Sequence, residues 1–265
     1  MSAEQSSPAV RSSTNVRRTS GNSAPDLDAP RRARNWRRAA ATAMFIVLAL
    51  IAAQSAMLGT AHFFAQIAQV EFERWNSAHS PVALRDVSRV EKYLWKSLRY
   101  ASANPWALEK LGMLELARMR ASGIPREALA AANDARTRFR EALLQRPTSP
   151  FLWANLALSK LYLDQIDAEF FNALRHADEL GPWEPTIQQM TLFAGLAAWP
   201  RLDPALRRAL AQTIDRGGVH NAANMYEIVR KYGRFDLICA VNQYNEIVRK
   251  DCERVSGAAG SGSLR

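Results

Sequence analysis

The stretch FREALLQRPTSPFLWANLALSK, residues 139–160, decides the fold because a turn bracketed by two prolines separates two helical patterns. Proline cannot continue a helix that precedes it, but it is well tolerated in the first turn of a new helix. Pro147 is therefore expected to end one helix and Pro150 to begin the next, with Ser149 placed to cap it. The turn LGPWEP, residues 180–185, repeats the arrangement, which favours a connecting turn between repeated helices over a catalytic loop.

Helical patterns fill the chain after residue 71. Apolar residues recur at steps of three and four, as in Val87, Val90, Leu94 and Leu98. Asn104 before Pro105 and Asp203 before Pro204 are typical helix starts, and Gly217 is expected to end the helix that Pro204 begins. No segment shows the sustained alternation of apolar and polar residues that is typical of strands. The predicted fold class is therefore all-α, with a single transmembrane helix followed by helical hairpins like those of tetratricopeptide repeats (TPR).

The hairpins are expected to repeat. Pro105, Pro150 and Pro185 open three helices, and the second interval of 35 residues is close to the 34 of a tetratricopeptide repeat (TPR). Small residues let antiparallel helices touch, and an aromatic residue fills the groove between them. The residues that fit this spacing are Ala135, Phe139, Ala142 and Pro147, with Leu111 and Gly112 on the partner helix, and then Trp153, Leu156, Ala157 and Pro182.

The predicted organisation follows from these patterns. It comprises a disordered basic cytoplasmic N-terminus at 1–38, a transmembrane helix at 39–62, connecting helices at 63–103, TPR-like repeats at 104–217 (hairpins at about 104–147, 148–182 and 183–217), capping helices at 218–255 and a disordered tail at 256–265. The cap is needed because a terminal hairpin otherwise exposes an apolar face.

The membrane segment is predicted from charge. No Asp, Glu, Lys or Arg occurs from Ala39 to Val70, and Ala39 to Gly59 is long enough to span a bilayer core. Five arginines within residues 31–38 precede it, and a nearly neutral segment follows it. The positive-inside rule therefore places the N-terminus in the cytoplasm of an inner-membrane protein and the helical domain in the periplasm. A cleaved signal peptide is the alternative.

The charge does not favour a nucleic-acid partner. The net charge is +10, but half of it lies in residues 1–38, where the membrane topology explains it. The remainder is spread over a body several times longer. No nucleic-acid partner is therefore predicted.

Candidates for chemistry are few. The four histidines form no paired metal pattern, and no Walker A, GxSxG or GxGxxG motif occurs, so no cofactor, metal or enzymatic activity is predicted. Asp164, Asp167 and Glu169 are candidates for acid-base chemistry on a glycan, but helix capping explains acids at a helix start more simply. Cys239 and Cys252 could form a disulfide outside the cytoplasm or remain free thiols.

Four motifs carry a resemblance to a known family: RPTSP at 146–150, WAN at 153–155, DAEF at 167–170 and LGPWEP at 180–185. With Trp199, they resemble the VpsP-like family of polysaccharide-biosynthesis proteins over about residues 93–224. The resemblance implies a membrane-anchored accessory or scaffold protein in exopolysaccharide biosynthesis or export, with proteins of that machinery as partners. It implies no catalytic residue. The alternative is a glycan-binding or glycan-modifying protein that uses the Asp164, Asp167 and Glu169 region.

Overall fold

The structure is a computed structural model that describes residues 29–78, 84–239, 249–250 and 252–254. Its helices are α1 (Ala29–Ala78), α2 (Leu84–Tyr100), α3 (Pro105–Ala121), α4 (Pro125–Leu143), α5 (Pro150–Tyr162), α6 (Ala168–Leu180), α7 (Pro185–Ala197), α8 (Pro204–His220), α9 (Ala222–Lys231) and α10 (Phe235–Cys239). A short 3-10 turn covers Trp199–Arg201. No strand occurs among the described residues, which confirms the all-α prediction.

The chain divides into two compact units between Ala53 and Gln54, and α1 passes through the boundary. In α1, every side chain from Asn35 to Gly59 is exposed, although most of them are apolar. This helix is long and apolar enough to cross a membrane, as predicted. From Asn35 to Gly59, the other described residues cover none of its side chains.

The bounds of α1 differ from the prediction. The helix begins at Ala29, inside the segment 1–38 predicted to be disordered, and it ends at Ala78, beyond the predicted boundary at 62. The prediction used the apolar stretch to set the ends, but helix propagation needs only the absence of a breaker. No proline occurs between Pro30 and Pro81. Residues 1–28 and the predicted tail at 256–265 lie outside the described residues.

The predicted hairpin starts are present. Pro105, Pro150, Pro185 and Pro204 each open a helix, and Pro125 opens α4 as well. Each helix packs on the next from α2 to α9, and α5 also contacts α3 and α7. The contacts of α5 with both α3 and α7 place the first helices of the three hairpins side by side.

Helix caps follow the sequence in two of three places. Asn104 Oδ1 accepts hydrogen bonds from the backbone N–H groups of Trp106 (3.1 Å) and Ala107 (3.3 Å). Asp203 Oδ1 accepts one from Leu206 N–H at 2.8 Å. The prediction for Ser149 was wrong, because its side chain makes no capping hydrogen bond and its buried hydroxyl has no hydrogen-bond partner among the described residues. Pro150 alone defines that helix start.

The end of α8 corrects a second expectation. Gly217 does not stop the helix, which continues to His220. A methyl group at Gly217 would lie 2.8 Å from Met225 Cε, so the Met225 side chain of α9 packs directly on this glycine. Met225, Val229 and Ile238 form a small core with Leu192 and Ile214, and this core closes the end of the hairpin array.

Candidate functional site

The turn between α5 and α6 gathers the charged residues that the sequence offered for chemistry. Lys160, near the end of α5, is 1% exposed. Its Nζ donates to Asp167 Oδ2 at 2.9 Å and to Glu169 Oε2 at 2.7 Å. A buried ammonium group is costly unless it is paired, so these two carboxylates satisfy Lys160.

Asp167 serves α6 as well as Lys160. It is the N-cap residue of α6, and its Oδ1 accepts a hydrogen bond from Phe170 N–H at 3.1 Å. Partial burial acts to raise the pKa of Asp167, but the hydrogen bonds from Lys160 and from the Phe170 backbone outweigh it and lower the pKa. The geometry of Asp167 therefore agrees with the role in helix capping that the sequence suggested.

Glu169 connects α6 to α4. Arg140 on α4 donates through Nε to Glu169 Oε1 at 2.7 Å, and its Nη2 donates to Oε2, which makes the pair bidentate. The hydrogen bond from Arg140, and that from Lys160, lower the pKa of Glu169 although burial opposes them. Three helices thus meet at one ionic cluster, which we call the α5–α6 cluster: Arg140, Lys160, Asp167 and Glu169.

Asp164 stands apart from this cluster. Its backbone has φ of 52°, in the left-handed region that ends α5, and its side chain is 85% exposed. Its Oδ1 lies 3.4 Å from Nη1 of Arg201. The backbone N–H of the next residue, Gln165, donates to the Lys160 carbonyl at 2.9 Å and closes the turn.

The chemistry of the three acids favours a structural role. Glycoside hydrolysis requires one carboxyl group with a raised pKa to donate a proton. Asp167 and Glu169 instead have lowered pKa values and are paired with cations, which keeps both ionised. The α5–α6 cluster can hold three helices together, and neither of its carboxyl groups has the raised pKa that a general acid requires.

The residues predicted to define the repeat lie at helix contacts. Ala135, Phe139 and Ala142 are fully buried on α4. A methyl group at Gly112 of α3 would lie 2.7 Å from Phe139 Cε1, so the ring covers the glycine directly. A similar relationship joins α7 and α8, where a methyl group at Gly195 would overlap Leu210 Cδ1.

The second set of repeat residues is placed in the same way. Leu156 and Ala157 are buried on α5. Trp153 Nε1 donates to the Pro147 carbonyl at 2.7 Å, and the Trp153 ring stacks on His176 with centroids 4.6 Å apart. The Pro182 carbonyl accepts a hydrogen bond from Gln188 Nε2 at 2.9 Å. Both turns are therefore fastened to the helix that follows them.

Cys239 and Cys252 form a disulfide with their Cα atoms 5.6 Å apart. Both residues pack against the core that closes the array. The bond ties the described segment 252–254 to the end of α10. Of the two states that the sequence left open, the structure contains the paired one.

Lys160 is the residue that sequence reasoning missed. It lies in LALSKLYLDQIDAEF, residues 156–170, where one lysine interrupts an apolar helix shortly before the acids. That combination was available as a signal for a buried ion pair. Among the described residues, no cluster of three or more histidine, cysteine, aspartate or glutamate side chains could hold a metal ion.

Comparison of this chain with protein-family models, with curated proteins and with solved structures finds no match.

Proposed function

We propose that this protein is a single-pass membrane scaffold whose hairpin domain is a TPR-like array that binds a partner protein. The observation that supports it most is the contact of Phe139 with Gly112, which reproduces the aromatic-on-small packing expected within such a hairpin. Ala157 stands seven residues after Pro150, as Gly112 stands seven after Pro105. Helical arrays of this kind offer a continuous surface for a partner helix or peptide.

The hairpin domain belongs, in this proposal, outside the cytoplasm. The arginines that precede the apolar segment favour a cytoplasmic N-terminus. The Cys239–Cys252 disulfide supports the same orientation, because disulfides persist in oxidising compartments and are rare in the cytoplasm. In a cell with two membranes the domain then lies in the periplasm.

The process that the scaffold serves is proposed from the four motifs in residues 146–185 that resemble the VpsP-like family. On that basis the partners are proteins of exopolysaccharide assembly or export. The α5–α6 cluster supports a scaffold in preference to a glycan-modifying enzyme, because its carboxylates hold helices together and remain ionised.

In-cell photo-crosslinking tests the scaffold. A photoreactive side chain at Met113, exposed on α3, samples the layer formed by the first helices of the hairpins. The same group at Leu129, exposed on α4, is the matched control. We expect an envelope protein of the polysaccharide machinery to be captured from Met113 and not from Leu129. Capture from neither position, in cells that make the polymer, contradicts the proposal.

Gene deletion with complementation tests the process. Deletion should reduce extracellular polymer, and a chain carrying Asp164→Asn should restore it, because the Asp164 side chain is exposed and its ion pair with Arg201 is weak. Loss of polymer from stably folded Asp164→Asn protein instead supports glycan chemistry at the α5–α6 turn.

A further inference from the structure

One edge of the hairpin domain collects the turns at which even-numbered helices end and odd-numbered helices begin. We call it the turn edge, and it consists of residues 100–104, 144–150 and 180–185. A cavity lined by Ser102 and Leu144, among other residues, brings the first two turns together. A methyl group at Gly181 would lie 2.9 Å from Pro150 Cβ, which places the third turn against the second.

Among the described residues of the unit Gln54–Arg265, the two most exposed large apolar side chains lie on the turn edge. Leu144 is 81% exposed and Trp183 is 72% exposed. Tyr100 and Leu180, also exposed, lie at the same edge. Single exposed apolar residues are ordinary on a protein surface, but several on one edge mark a surface that contacts something apolar.

The part of α1 that belongs to the unit Gln54–Arg265 leads from exposed residues, Gln54 to Gly59, to this edge. Within the unit Gln54–Arg265, Ala61 is the first buried residue of α1, so the stretch available to lipid ends at about Thr60. Phe64 stacks on both Tyr93 (6.3 Å) and Tyr100 (6.2 Å), and therefore lies beside the last turns of α2. Four residues of helix rise only about 6 Å, so Thr60 is level with the end of α2.

The direction of α2 follows from the same contacts. Ala78, where α1 ends, is 14 residues or about 21 Å beyond Phe64. The chain resumes as a helix at Leu84 and comes back beside Phe64 over its last two turns, from Tyr93 to Tyr100. Since α2 runs back toward the end of the apolar stretch, the turn that follows α2 and the two turns beside it face the same side.

We propose that the turn edge lies on the surface of the phospholipid bilayer, with Trp183 and Leu144 inserted at the boundary of headgroups and acyl chains. Tryptophan favours this boundary because one part of its ring is apolar and its N–H is polar. Lys96 and Arg99, exposed on the last turns of α2, can contact lipid phosphates, and Lys96 Nζ also lies 5.1 Å from the centre of the Phe64 ring. The carboxylates of Glu179 and Glu184 remain at the level of the headgroups. The inference rests on the proposed membrane anchoring.

Fluorescence quenching by brominated lipid tests this contact in the full-length protein. The chain is placed in nanodiscs of phosphatidylcholine and phosphatidylglycerol, with bromine near the carbonyl end of the acyl chains or without bromine. We expect brominated lipid to quench the tryptophan fluorescence less in the Trp183→Phe protein than in the parent. Adding Leu144→Trp to Trp183→Phe should restore the quenching. Ile124→Trp in the same background should not restore it, because Ile124 is also exposed but lies at the opposite end of α3 and α4.

Trp36→Phe separates this inference from the anchoring on which it rests, because Trp36 lies three residues before the apolar segment, at the other boundary of the bilayer. If Trp36→Phe lowers the quenching and Trp183→Phe does not, the protein is anchored but the turn edge is not at the lipid, which overturns the inference and leaves Trp183 for a protein partner. If neither substitution lowers the quenching, both the inference and the anchoring fail.

Discussion

The ring of Phe139 on α4 covers Gly112 on α3 so closely that a methyl group on the glycine would lie 2.7 Å from Cε1. Phe139 is fully buried, so its ring is enclosed by other parts of the chain. The closeness of these two helices therefore depends on a pair of residues, one without a side chain and one with a large ring. The first prediction concerns this pair.

Gly112→Ala should destabilise the hairpin domain. Overpacking a core costs about 1–3 kcal/mol, whereas alanine gains about 0.5–1 kcal/mol over glycine inside a helix, so a net loss of about 1–2 kcal/mol is expected. Thermal unfolding of the full-length protein in detergent, followed by circular dichroism, measures it. Gly59→Ala is the control, since nothing lies within 4 Å of that position and no loss is expected there.

The combination with Phe139→Leu should partly rescue Gly112→Ala. The smaller side chain leaves room for the new methyl group, so the double variant should lose less stability than the two single losses added together. Strict additivity contradicts direct packing of these residues.

Removing the negative charges of the α5–α6 cluster should lower the free energy of unfolding more than removing the positive charge of Lys160. Asp167→Asn with Glu169→Gln leaves the buried ammonium of Lys160 without a counter-charge, which typically costs about 3–5 kcal/mol. Lys160→Met removes the buried charge itself and leaves Glu169 paired with Arg140, so we expect a loss below about 1.5 kcal/mol.

Chemical unfolding measures the free energy of unfolding of both variants. Glu184→Gln is the control, because Glu184 is an exposed carboxylate whose side chain does not cap its helix. Equal losses in the Lys160→Met and Asp167→Asn/Glu169→Gln proteins contradict the buried-charge account of Lys160.

Acid should weaken the fold through the same carboxylates. The folded pKa values of Asp167 and Glu169 lie below their ordinary values of 3.8 and 4.5, so their stabilising contribution is complete above those values. It is lost as the pH falls from about 4.5 through the lower folded pKa values. Burial raises the pKa of Glu109 and Glu115, and their contribution has the opposite sign, because protonation then favours the folded state.

The melting temperature, measured from pH 7 to pH 3, checks this expectation. The decrease below pH 4.5 should be smaller in the Asp167→Asn/Glu169→Gln protein, because its amides do not titrate. An identical acid decrease in the double variant and in the parent contradicts the assigned pKa directions.

The disulfide should stabilise the closed end of the array. A loop of about 15 residues closed by a disulfide contributes about 3 kcal/mol in the chain-entropy model, and Cys239 and Cys252 are 13 residues apart. Cys239→Ser with Cys252→Ser should therefore lower the melting temperature, and addition of a reductant to the parent protein should produce the same decrease. A further decrease when reductant is added to the double variant indicates another cause.

Local signals predicted the hairpins well. Prolines 105, 150, 185 and 204 open helices because proline suits the first turn, and this holds whatever packs nearby. Phe139, Ala135 and Ala142 were identified as contact residues from spacing alone, since their burial follows from the helical period.

Features that depend on distant residues were not predicted. Gly217 lies inside α8 and Met225 of α9 packs on it, a contact between different helices that local sequence does not indicate. The burial of Lys160 depends on Arg140, Asp167 and Glu169, which lie on two other helices. Exposure of Trp183 likewise followed only from the structure, because its neighbours in sequence resemble those of other helix starts.

The central claim is that the protein is a scaffold anchored by α1 with its hairpin domain outside the cytoplasm. Protease accessibility in intact cells and spheroplasts tests this claim most directly. The full-length protein carries one epitope at each end. We expect the protein in the membrane fraction, the C-terminal epitope digested once the outer face of the inner membrane is accessible, and the N-terminal epitope retained on a membrane-bound fragment. A protected C-terminal epitope, or a protein recovered in the soluble fraction, contradicts the claim.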